Sequence, residues 1–437
     1  MRSRVSGDAG QHPRRRLVVV GNGMAGARAI EEILARAPGQ FDITVFGAEP
    51  HGSYNRIMLS PVLAGEAAFA DIVTHDAAWY AANGVELVVG EAVVELDRVA
   101  RTVLGARRTR RDYDVLLLAT GSDPMTLPIP GGDLPGVTSF RSITDVEAMR
   151  AACRPGLHAV VIGGGLLGLE AAYGLRRNGM NVTIVHLMPS LMERQLDDVS
   201  AGLLARALQA RGITVLTGAS TRAVLGDERV RGVALADGRE IRADLVVVAA
   251  GVRPKLALAR AAGLACGRGV QVDAAMRTSD PAIFAIGECA EHLGQVVGLV
   301  APIWDMARVC AEHIAGGATA CYRPGAVGTH LKVTGIDTFS AGEFLGDATT
   351  EAMVFRDLSR GVHKRLVLRG DRLVGVAMVG DARDAGWYFD LLRRGADVAG
   401  MRDALAFGPA ALASGTGQPG VSGPFGGAPA TQIPAAA

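Results

Sequence analysis

The feature that most constrains the fold of this 437-residue sequence is a strand, glycine-turn and helix pattern that occurs twice. The first copy follows the apolar segment Leu17 to Val20 and reads Gly21-Asn22-Gly23-Met24-Ala25-Gly26. The second follows Ala159 to Ile162 and reads Gly163-Gly164-Gly165-Leu166-Leu167-Gly168. A helical stretch comes after each turn. Repetition on this scale predicts two copies of one nucleotide-binding unit in an α/β fold.

The three glycines of each copy have separate physical roles. The first makes the tight turn, the second lets a pyrophosphate approach the backbone, and the third lets the helix pack on the strand. The phosphates then meet a helix N-terminus, which is an anion-binding site. One such turn is weak evidence, whereas two between a strand and a helix favour two dinucleotide sites.

A second repeated feature marks where the chain leaves each unit. Val115 to Ala119 is an apolar strand that runs into Thr120-Gly121, and Val246 to Ala250 is another that runs into Gly251. Such turns predict domain boundaries near residues 122 and 251. Apolar runs of this length are typical of buried parallel strands and are far too short to cross a bilayer.

The residues after the second strand of each unit bear on ribose recognition. Ile43 to Phe46 is followed by Glu49, an acid placed to accept hydrogen bonds from ribose hydroxyls, or else a solvated turn residue. The corresponding strand of the second unit ends in His186, with Arg194 further on. His186 is either a contact to the ribose or its 2′-phosphate, or a surface residue. The preference between NADH and NADPH stays open, and the lack of an arginine at the strand end favours NADH.

Composition and cysteine usage exclude several classes of protein. Lysine plus arginine total 45 against 44 acidic residues, so no large net field favours nucleic acid or an anionic membrane. The start of the chain has no apolar segment of a secretory signal, and we expect a cytoplasmic protein. The five cysteines, none of them before residue 153, have neither a C-x-x-C nor another metal-ligand spacing. We therefore predict no metal site and no redox-active cysteine pair.

Several segments together resemble the FAD/NAD(P) pyridine-nucleotide oxidoreductases, over residues 16 to about 316. They are the first glycine turn with Tyr54-Asn55-Arg56, Ala119-Thr120-Gly121, Gly163 to Glu170, Gly251-Val252-Arg253-Pro254, and Thr278 to Glu288. Three further segments are similar to one branch, the flavin portion of assimilatory NAD(P)H nitrite reductase large subunits and the electron-transfer subunits of assimilatory nitrate reductase. These are Tyr54 to Pro61, His186 to Asp197, and Gly287 to His292. Rubredoxin reductases are more distant in resemblance.

The resemblance implies two Rossmann-like, FAD- and NAD(P)-binding three-layer domains plus a small C-terminal α+β domain. The predicted divisions are an N-terminal disordered extension (1–15), a discontinuous FAD-binding domain (16–122 and 252–321), an NAD(P)H-binding domain (123–251), the C-terminal domain (322–408) and a disordered Gly/Ala/Pro-rich tail (409–437). Within the C-terminal domain, the apolar runs Leu366 to Leu368 and Leu373 to Met378 predict a hairpin around Gly370-Asp371.

The resemblance also implies the cofactor contacts. FAD is expected to contact Gly21, Gly23, Met24, Ala25, Gly26, Glu49, Arg56, Ala119, Thr120, Gly121, Gly287, Glu288, Val300 and Trp304. NADH or NADPH is expected to contact Gly163, Gly165, Leu166, Leu167, Gly168, Glu170, His186, Arg194 and Gly251. Trp304 is read either as a flavin neighbour or as a core residue, and Glu170 either as a neighbour of the carboxamide or as a helix-surface glutamate.

The predicted activity is flavin-mediated hydride transfer, which requires no catalytic side chain. The expected function is an NAD(P)H-oxidising flavoprotein that reduces a separate metal-containing partner in assimilatory nitrate or nitrite reduction. The alternatives are a rubredoxin or ferredoxin reductase without a link to nitrogen, and a nicotinamide- and flavin-binding redox sensor with little turnover. No nucleic-acid or membrane partner is expected, and a homodimer is left open.

Overall fold

The computed structural model describes residues 14–333 and 335–414, which form two compact units. Both units are discontinuous along the chain. Unit 1 comprises residues 14–55, 73–122 and 254–323; unit 2 comprises residues 56–72 and 123–253 and the described residues from 324 onwards. Within the described residues, no helix is both long and apolar enough to span a membrane.

Unit 1 is built on a five-stranded parallel sheet. In spatial order its strands are Ile283–Ala285, Val115–Leu118, Arg15–Val20, Phe41–Phe46 and Val85–Val88. Leu17 and Val19 on the central strand pack with the helices Met24–Arg36 and Val300–Ile314, whereas Val18 and Val20 pack on the opposite face. That opposite face is covered by the helix Ala257–Ala261 and an antiparallel sheet. Because both faces are buried, the two strands at the centre of the sheet carry continuous apolar runs, at residues 17–20 and 115–118.

The remaining elements of unit 1 are short. The antiparallel sheet comprises Val93–Asp97, Thr102–Gly105 and Arg110–Asp112. The other strands are Ser53–Tyr54 paired with Val73–His75, and Val270–Val272, Ala290–His292 and Gln295–Val296 in a mixed sheet. The other helices are Ala77–Ala82 and the 3-10 turn Gly287–Cys289.

Unit 2 repeats this plan. Its parallel sheet has the spatial order Val137–Ser139, Leu245–Val248, His158–Ile162, Asn181–Val185 and Ile213–Leu216. The helices Ile143–Ala152, Leu166–Arg177 and Asp198–Ala210 pack against these strands. An antiparallel sheet covers the other face and comprises Thr221–Gly226, Val230–Leu235 and Glu240–Arg242. The two Rossmann-like three-layer architectures predicted from the repeated glycine turns are thus confirmed.

The C-terminal α+β part of unit 2 is a five-stranded antiparallel sheet. Its order is Gly328–Val333, Ile336–Gly342, Arg372–Val379, Val362–Arg369 and Glu351–Asp357. The helix Ala385–Arg394 and the 3-10 segment Ala399–Phe407 pack with one face of the sheet. Arg369 pairs with Arg372, so Gly370-Asp371 forms the predicted two-residue hairpin turn, with Gly370 at a φ of +58°.

One segment belongs to a different unit from its neighbours in sequence. Residues 56–72, with the helices Leu59–Ala64 and Phe69–Ile72, lie in unit 2, although the predicted FAD-binding domain includes them. The reason is packing. Leu63 fills the space above Gly174, where an added Cβ would meet its Cγ at 2.5 Å, and its carbonyl accepts a hydrogen bond from Asn178 Nδ2 at 2.7 Å.

The predicted disordered ends need correction where the structure describes them. The strand Arg15–Val20 begins at the last residue of the predicted extension, and residues 1–13 lie outside the described residues. The helix Pro409–Ser414 occupies the start of the predicted tail, so that part of the prediction is wrong. A proline at the first helical position is preorganised for a helix, a signal that the Gly/Ala/Pro composition hides. Residues 415–437 lie outside the described residues.

Candidate functional site

The first glycine turn connects the strand Arg15–Val20 to the helix Met24–Arg36 in unit 1. Gly21 has a φ of +116°, and a Cβ there would lie 2.2 Å from the Ala119 carbonyl oxygen. A Cβ on Gly26 would lie 2.1 Å from the Gly21 carbonyl oxygen, so a larger side chain at either position requires the backbone to move. A Cβ on Gly23 would meet nothing within 4 Å. Backbone atoms therefore fill the space beside the first and third glycines of the turn, whereas the space beside the second glycine is empty.

The second glycine turn has the same geometry in unit 2. Gly163 has a φ of +128°, and its Cβ would lie 2.3 Å from the Ala249 carbonyl oxygen. The Cβ of Gly168 would lie 2.1 Å from the Gly163 carbonyl oxygen, and that of Gly165 would meet nothing within 4 Å. The helices that follow the two glycine turns, Met24–Arg36 and Leu166–Arg177, have no side-chain cap. The first N–H groups of each helix are therefore available to an anion. Both turns fit the phosphates of a dinucleotide.

The predicted residues around the first turn are brought together by close backbone contacts. A Cβ on Gly287 would lie 2.9 Å from the Cβ of Ala25, which places the 3-10 turn Gly287–Cys289 beside the start of the turn helix. The Glu288 carboxylate accepts a hydrogen bond from Ser122 Oγ at 2.7 Å. It also lies 3.9 Å from the Cβ position of Gly121. Thr120 Oγ1 donates to the Lys255 carbonyl oxygen at 3.2 Å.

Glu49 and Arg56, both expected at the FAD, have different surroundings. Glu49 is partly buried, and its carboxylate accepts a hydrogen bond from the Tyr54 hydroxyl at 2.8 Å. It is therefore not simply a solvated turn residue. Arg56 lies in unit 2, whereas the other predicted FAD residues lie in unit 1. Its Nη1 donates to the Arg141 carbonyl oxygen at 3.0 Å.

The helix Val300–Ile314 begins at Val300 without a side-chain cap and carries Trp304 as its fifth residue. The Trp304 side chain is 45% exposed, so the interpretation as a core tryptophan is wrong. Arg28, on the first turn helix, lies over the indole ring at 5.7 Å from its centroid. This cation–π contact places Trp304 next to the first turn helix.

Glu170 lies on the helix Leu166–Arg177, which follows the second glycine turn. Its side chain is partly buried, so it is not the helix-surface glutamate of the alternative interpretation. Burial raises the pKa of its carboxyl to about 7, although the hydrogen bond from Ser60 Oγ, 2.5 Å long, acts in the opposite direction. A carboxyl with this pKa can hold or release a proton near neutral pH. Shifted acids of this kind cluster at functional sites.

His186 is buried, with 8% of its surface exposed, so the surface interpretation is wrong. Its Nδ1 accepts a hydrogen bond from the Gly164 N–H at 3.0 Å, and its Nε2 lies 3.1 Å from Glu193 Oε2. Both ring nitrogens are thus occupied within the protein. Arg194 is exposed. Gly251 has a φ of +117° and accepts a hydrogen bond from the Met125 N–H at 2.9 Å.

Comparison with known proteins adds to this geometry. Residues 15–306, more than half of the chain, match the model of the family described as pyridine nucleotide-disulphide oxidoreductase. The chain belongs to this family. It is accordingly an oxidoreductase that uses FAD and NAD(P)H. Residues 328–396 match a second model, described as the rubredoxin NAD+ reductase C-terminal domain.

Two relatives of this oxidoreductase come from Bacillus subtilis. The chain is 46% identical to its nitrite reductase [NAD(P)H] and 43% identical to its assimilatory nitrate reductase electron transfer subunit, each over 385 residues. These alignments cover 88% of this chain but only 48% and 50% of the relatives. The chain therefore spans about half the length of both proteins.

A solved structure supports the same fold. The ferredoxin reductase for the CYP199A2 system from Rhodopseudomonas palustris superposes with a TM-score of 0.81 at 27% sequence identity. The superposition covers 88% of this chain and 96% of that chain. The chain thus shares the α/β architecture of that ferredoxin reductase.

The spacing of the five cysteines in the sequence predicts no redox-active pair. All five are free thiols in the structure. Cys289 is buried beside Glu288, and its Sγ donates to the Ile286 carbonyl oxygen at 3.2 Å. Burial raises the pKa of the Cys289 thiol, which makes it a poor nucleophile. Over residues 14–333 and 335–414, no group of three or more His, Cys, Asp or Glu side chains could hold a metal ion.

Sequence reasoning missed three polar residues that contact the predicted ones. Ser122 bonds Glu288, Ser60 bonds Glu170, and Glu193 pairs with His186. Ser122 directly follows the Thr120-Gly121 turn, so its position was a usable signal. Ser60 and Glu193 lie within the segments Tyr54 to Pro61 and His186 to Asp197 that carry the resemblance, but neither segment indicates a side-chain partner. Ser60 meets Glu170 only when two helices pack together, and Glu193 meets His186 through the conformation of the connection that follows the strand Asn181–Val185.

Proposed function

We propose that this oxidoreductase passes electrons from NAD(P)H through FAD to a separate metal-containing redox protein, in assimilatory nitrate or nitrite reduction. The observation that carries the proposal is the presence of two glycine turns of matching geometry, one in each unit. Such a pair provides one site for a resident cofactor and one for an exchangeable coenzyme. When bound, a flavin accepts a hydride from the nicotinamide and can release its electrons singly.

We assign FAD to the first glycine turn. Its acidic neighbour Glu49 would accept hydrogen bonds from the adenosine ribose, and Glu288, oriented by Ser122, would bind the ribityl chain. The uncapped N-terminus at Val300 would stabilise negative charge on the reduced flavin. This assignment places the FAD-binding domain in the parts of residues 16–122 and 252–321 that belong to unit 1, without residues 56–72.

We assign the nicotinamide coenzyme to the second turn, within residues 123–251. Gly165 leaves room for the pyrophosphate, and the helix that begins at Leu166 presents free N–H groups to it. Glu170 lies on the same helix and would contact a polar group of the coenzyme, to which its carboxyl could donate or from which it could accept a hydrogen bond near neutral pH.

The acceptor is proposed from the relatives. One of them, 43% identical, is named as the electron transfer subunit of an assimilatory nitrate reductase, and the other as a nitrite reductase. We propose the catalytic subunit of such an enzyme as the partner. We also propose a cytoplasmic location, which is supported by the five free thiols. Light scattering of the purified protein would show whether it forms a homodimer.

Anaerobic stopped-flow mixing of the FAD-loaded protein with each coenzyme tests the first half of the reaction. We expect NADH or NADPH to bleach the flavin absorbance. If neither does, the proposal is wrong. Steady-state assays with a nitrate or nitrite reductase catalytic protein, a rubredoxin and a ferredoxin then test the acceptor.

A rubredoxin or ferredoxin reductase is the second candidate function. It is favoured by the match of residues 328–396 to the rubredoxin NAD+ reductase C-terminal domain and by the similarity to a ferredoxin reductase. Faster turnover with either small carrier than with the nitrogen-assimilating partner would establish it. A long-lived charge-transfer complex without turnover of any acceptor would instead indicate the redox sensor.

A further inference from the structure

The end of the strand Asn181–Val185 is unusual for a nicotinamide-binding unit. The residue that follows such a strand is commonly an acid that accepts hydrogen bonds from the adenosine ribose hydroxyls. Here it is His186, which is buried and turned towards the glycine turn. A backbone N–H can only donate, so the bond from Gly164 to Nδ1 leaves the ring proton on Nε2 in the neutral imidazole.

His186 Nε2 therefore donates to Glu193 Oε2, 3.1 Å away. The Glu193 side chain remains 30% exposed. In the described part of the chain, no hydrogen bond is formed by its second oxygen, Oε1. The carboxylate near the end of this strand is therefore that of Glu193, which lies seven residues after His186 in the sequence.

The backbone around Glu193 is fixed by the same turn. The Met192 N–H donates to the Gly164 carbonyl oxygen at 3.0 Å, with Met192 at a φ of +51°. Leu191 is buried, and its Cδ2 lies 2.6 Å from the Cβ position of Gly164. Gly164, His186 and Glu193 form a closed hydrogen-bonded ring through Met192. This ring positions the carboxylate beside the glycine turn.

We infer that Glu193, positioned by His186, binds the adenosine ribose hydroxyls of the coenzyme and selects NADH over NADPH. The inference rests on the proposed function, since it requires a nicotinamide coenzyme on the second turn. Two vicinal hydroxyls are donors to a carboxylate, whereas a 2′-phosphate in the same place would be repelled by it.

Arg194 supports the opposite preference, for NADPH. It is exposed next to Glu193, and no ion pair involves it in the described residues. An arginine beside the ribose would bind a 2′-phosphate. Arg194 is not part of the hydrogen-bonded ring around Gly164, so nothing fixes its guanidinium near the strand end. The Glu193 carboxylate, by contrast, is held there by its hydrogen bond with His186.

Calorimetric titration of the oxidised, FAD-loaded protein with ADP-ribose and with 2′-phospho-ADP-ribose tests the inference without turnover. We expect the unmodified protein to bind ADP-ribose at least about tenfold more tightly, since the carboxylate accepts hydrogen bonds from the free ribose hydroxyls and repels the 2′-phosphate. Glu193→Gln keeps the size of the side chain and is expected to reduce this ratio about tenfold or more. Glu228→Gln, in an exposed turn of unit 2, is the matched control and is expected to leave the ratio unchanged.

The role of His186 is tested by a double-mutant cycle. His186→Ala is expected to lower the ratio as Glu193→Gln does, because the carboxylate loses its fixed position. In the Glu193→Gln background, His186→Ala is expected to lower the affinity for both ligands equally and leave the ratio unchanged. A purely structural role of His186 would move both affinities but never their ratio.

The outcomes separate this inference from the proposed function. If Glu193→Gln leaves the ratio unchanged, or the unmodified protein prefers the 2′-phosphate and loses that preference in Arg194→Gln, the inference is wrong. The proposed function stands in both cases as long as either coenzyme reduces the flavin. If neither ligand binds and neither coenzyme reduces the flavin, both are wrong.

Discussion

At the residue scale, the two glycine turns differ in the residue between their first and second glycines. In the first turn this is Asn22, whose side-chain oxygen accepts a hydrogen bond from the Tyr80 hydroxyl at 2.5 Å. In the second it is Gly164, where a Cβ would meet both His186 and Leu191 at under 3 Å. The middle glycines, Gly23 and Gly165, share an open environment instead. Gly164 is therefore required by the packing of neighbouring side chains, whereas Gly23 and Gly165 leave open space in front of their turns.

The open space at Gly165 leads to a prediction for Gly165→Ala. Since the new Cβ meets nothing within 4 Å and φ is an ordinary −85°, the unfolding midpoint is expected to stay unchanged. The methyl group would fill the space proposed for the pyrophosphate, and we expect affinity for ADP-ribose to fall about tenfold or more. Calorimetry and thermal unfolding on the same samples measure both.

Gly202→Ala is the matched control, because Gly202 lies inside the helix Asp198–Ala210 and also has nothing within 4 Å of its Cβ position. It is expected to stabilise the fold by about 0.5–1 kcal/mol and to leave ADP-ribose binding unchanged. Equal affinity of Gly165→Ala and the unmodified protein would contradict the assignment of the pyrophosphate.

Glu170 supplies a pH-dependent prediction. Burial raises the pKa of its carboxyl from an ordinary value of 4.5 to about 7, so the folded state holds the proton more tightly than the unfolded chain. The stabilisation from this group is full below about pH 4.5 and is lost as the pH rises through about 7. Relative to Glu170→Gln, the unmodified protein is expected to lose about 1–3 kcal/mol of unfolding free energy between about pH 5 and pH 9.

Urea unfolding of both proteins across this range measures the difference. Glu228→Gln, which removes an exposed acid from the same unit, is expected to follow the unmodified protein at every pH. Parallel curves for Glu170→Gln and the unmodified protein would show that Glu170 does not titrate in this range.

At the scale of elements, the helix Asp198–Ala210 has a cap that also contacts the C-terminal sheet. Asp197 accepts hydrogen bonds from the Val199 and Ser200 N–H groups at 3.0 Å each. Its carboxylate lies 3.4 Å from Nε2 of His363, a buried residue of the strand Val362–Arg369. One carboxylate therefore joins a helix N-terminus to a separate sheet within unit 2.

Burial alone would raise the pKa of Asp197, but the interactions with His363 and Ser200 outweigh it and lower the pKa to about 2. Its stabilising contribution is therefore present above its ordinary pKa of 3.8 and is lost as the pH falls towards about 2. Asp197→Ala is expected to cost about 1–2 kcal/mol at neutral pH, the usual loss for an N-cap. Asp197→Asn keeps a capping oxygen and is expected to cost less.

Urea unfolding at neutral and acid pH distinguishes these variants. The unmodified protein is expected to lose more stability than Asp197→Asn on acidification, because only the carboxylate titrates. Asp198→Asn removes an exposed acid from the same first turn and is expected to change stability by less than about 0.5 kcal/mol. A loss in Asp198→Asn as large as that in Asp197→Ala would contradict the capping role.

At the scale of the whole molecule, the proposed function places one nucleotide in each unit, and hydrogen exchange can test this proposal. Ligand binding stabilises the elements that form its site. Removal of FAD is expected to increase exchange in peptides of the helix Met24–Arg36 in unit 1. Addition of ADP-ribose is expected to decrease exchange in the helix Leu166–Arg177 of unit 2. The opposite pattern would reverse the assignment of FAD and coenzyme.

The sequence by itself determined the repeated architecture. Strand apolarity, the steric demands of Gly21 and Gly163, and the hairpin at Gly370-Asp371 act over a few residues and leave a local pattern. These features predict the two parallel sheets, their turn helices and the C-terminal hairpin.

Only the tertiary structure decided which side chains meet at the turns. Ser60 reaches Glu170 across 110 positions of sequence, and Arg56 lies in a different unit from the rest of its predicted set. His186 faces inwards, so the carboxylate at the strand end comes from Glu193. Side-chain partners depend on the packing of whole elements and on the space left between them, and no local rule of the chain encodes either.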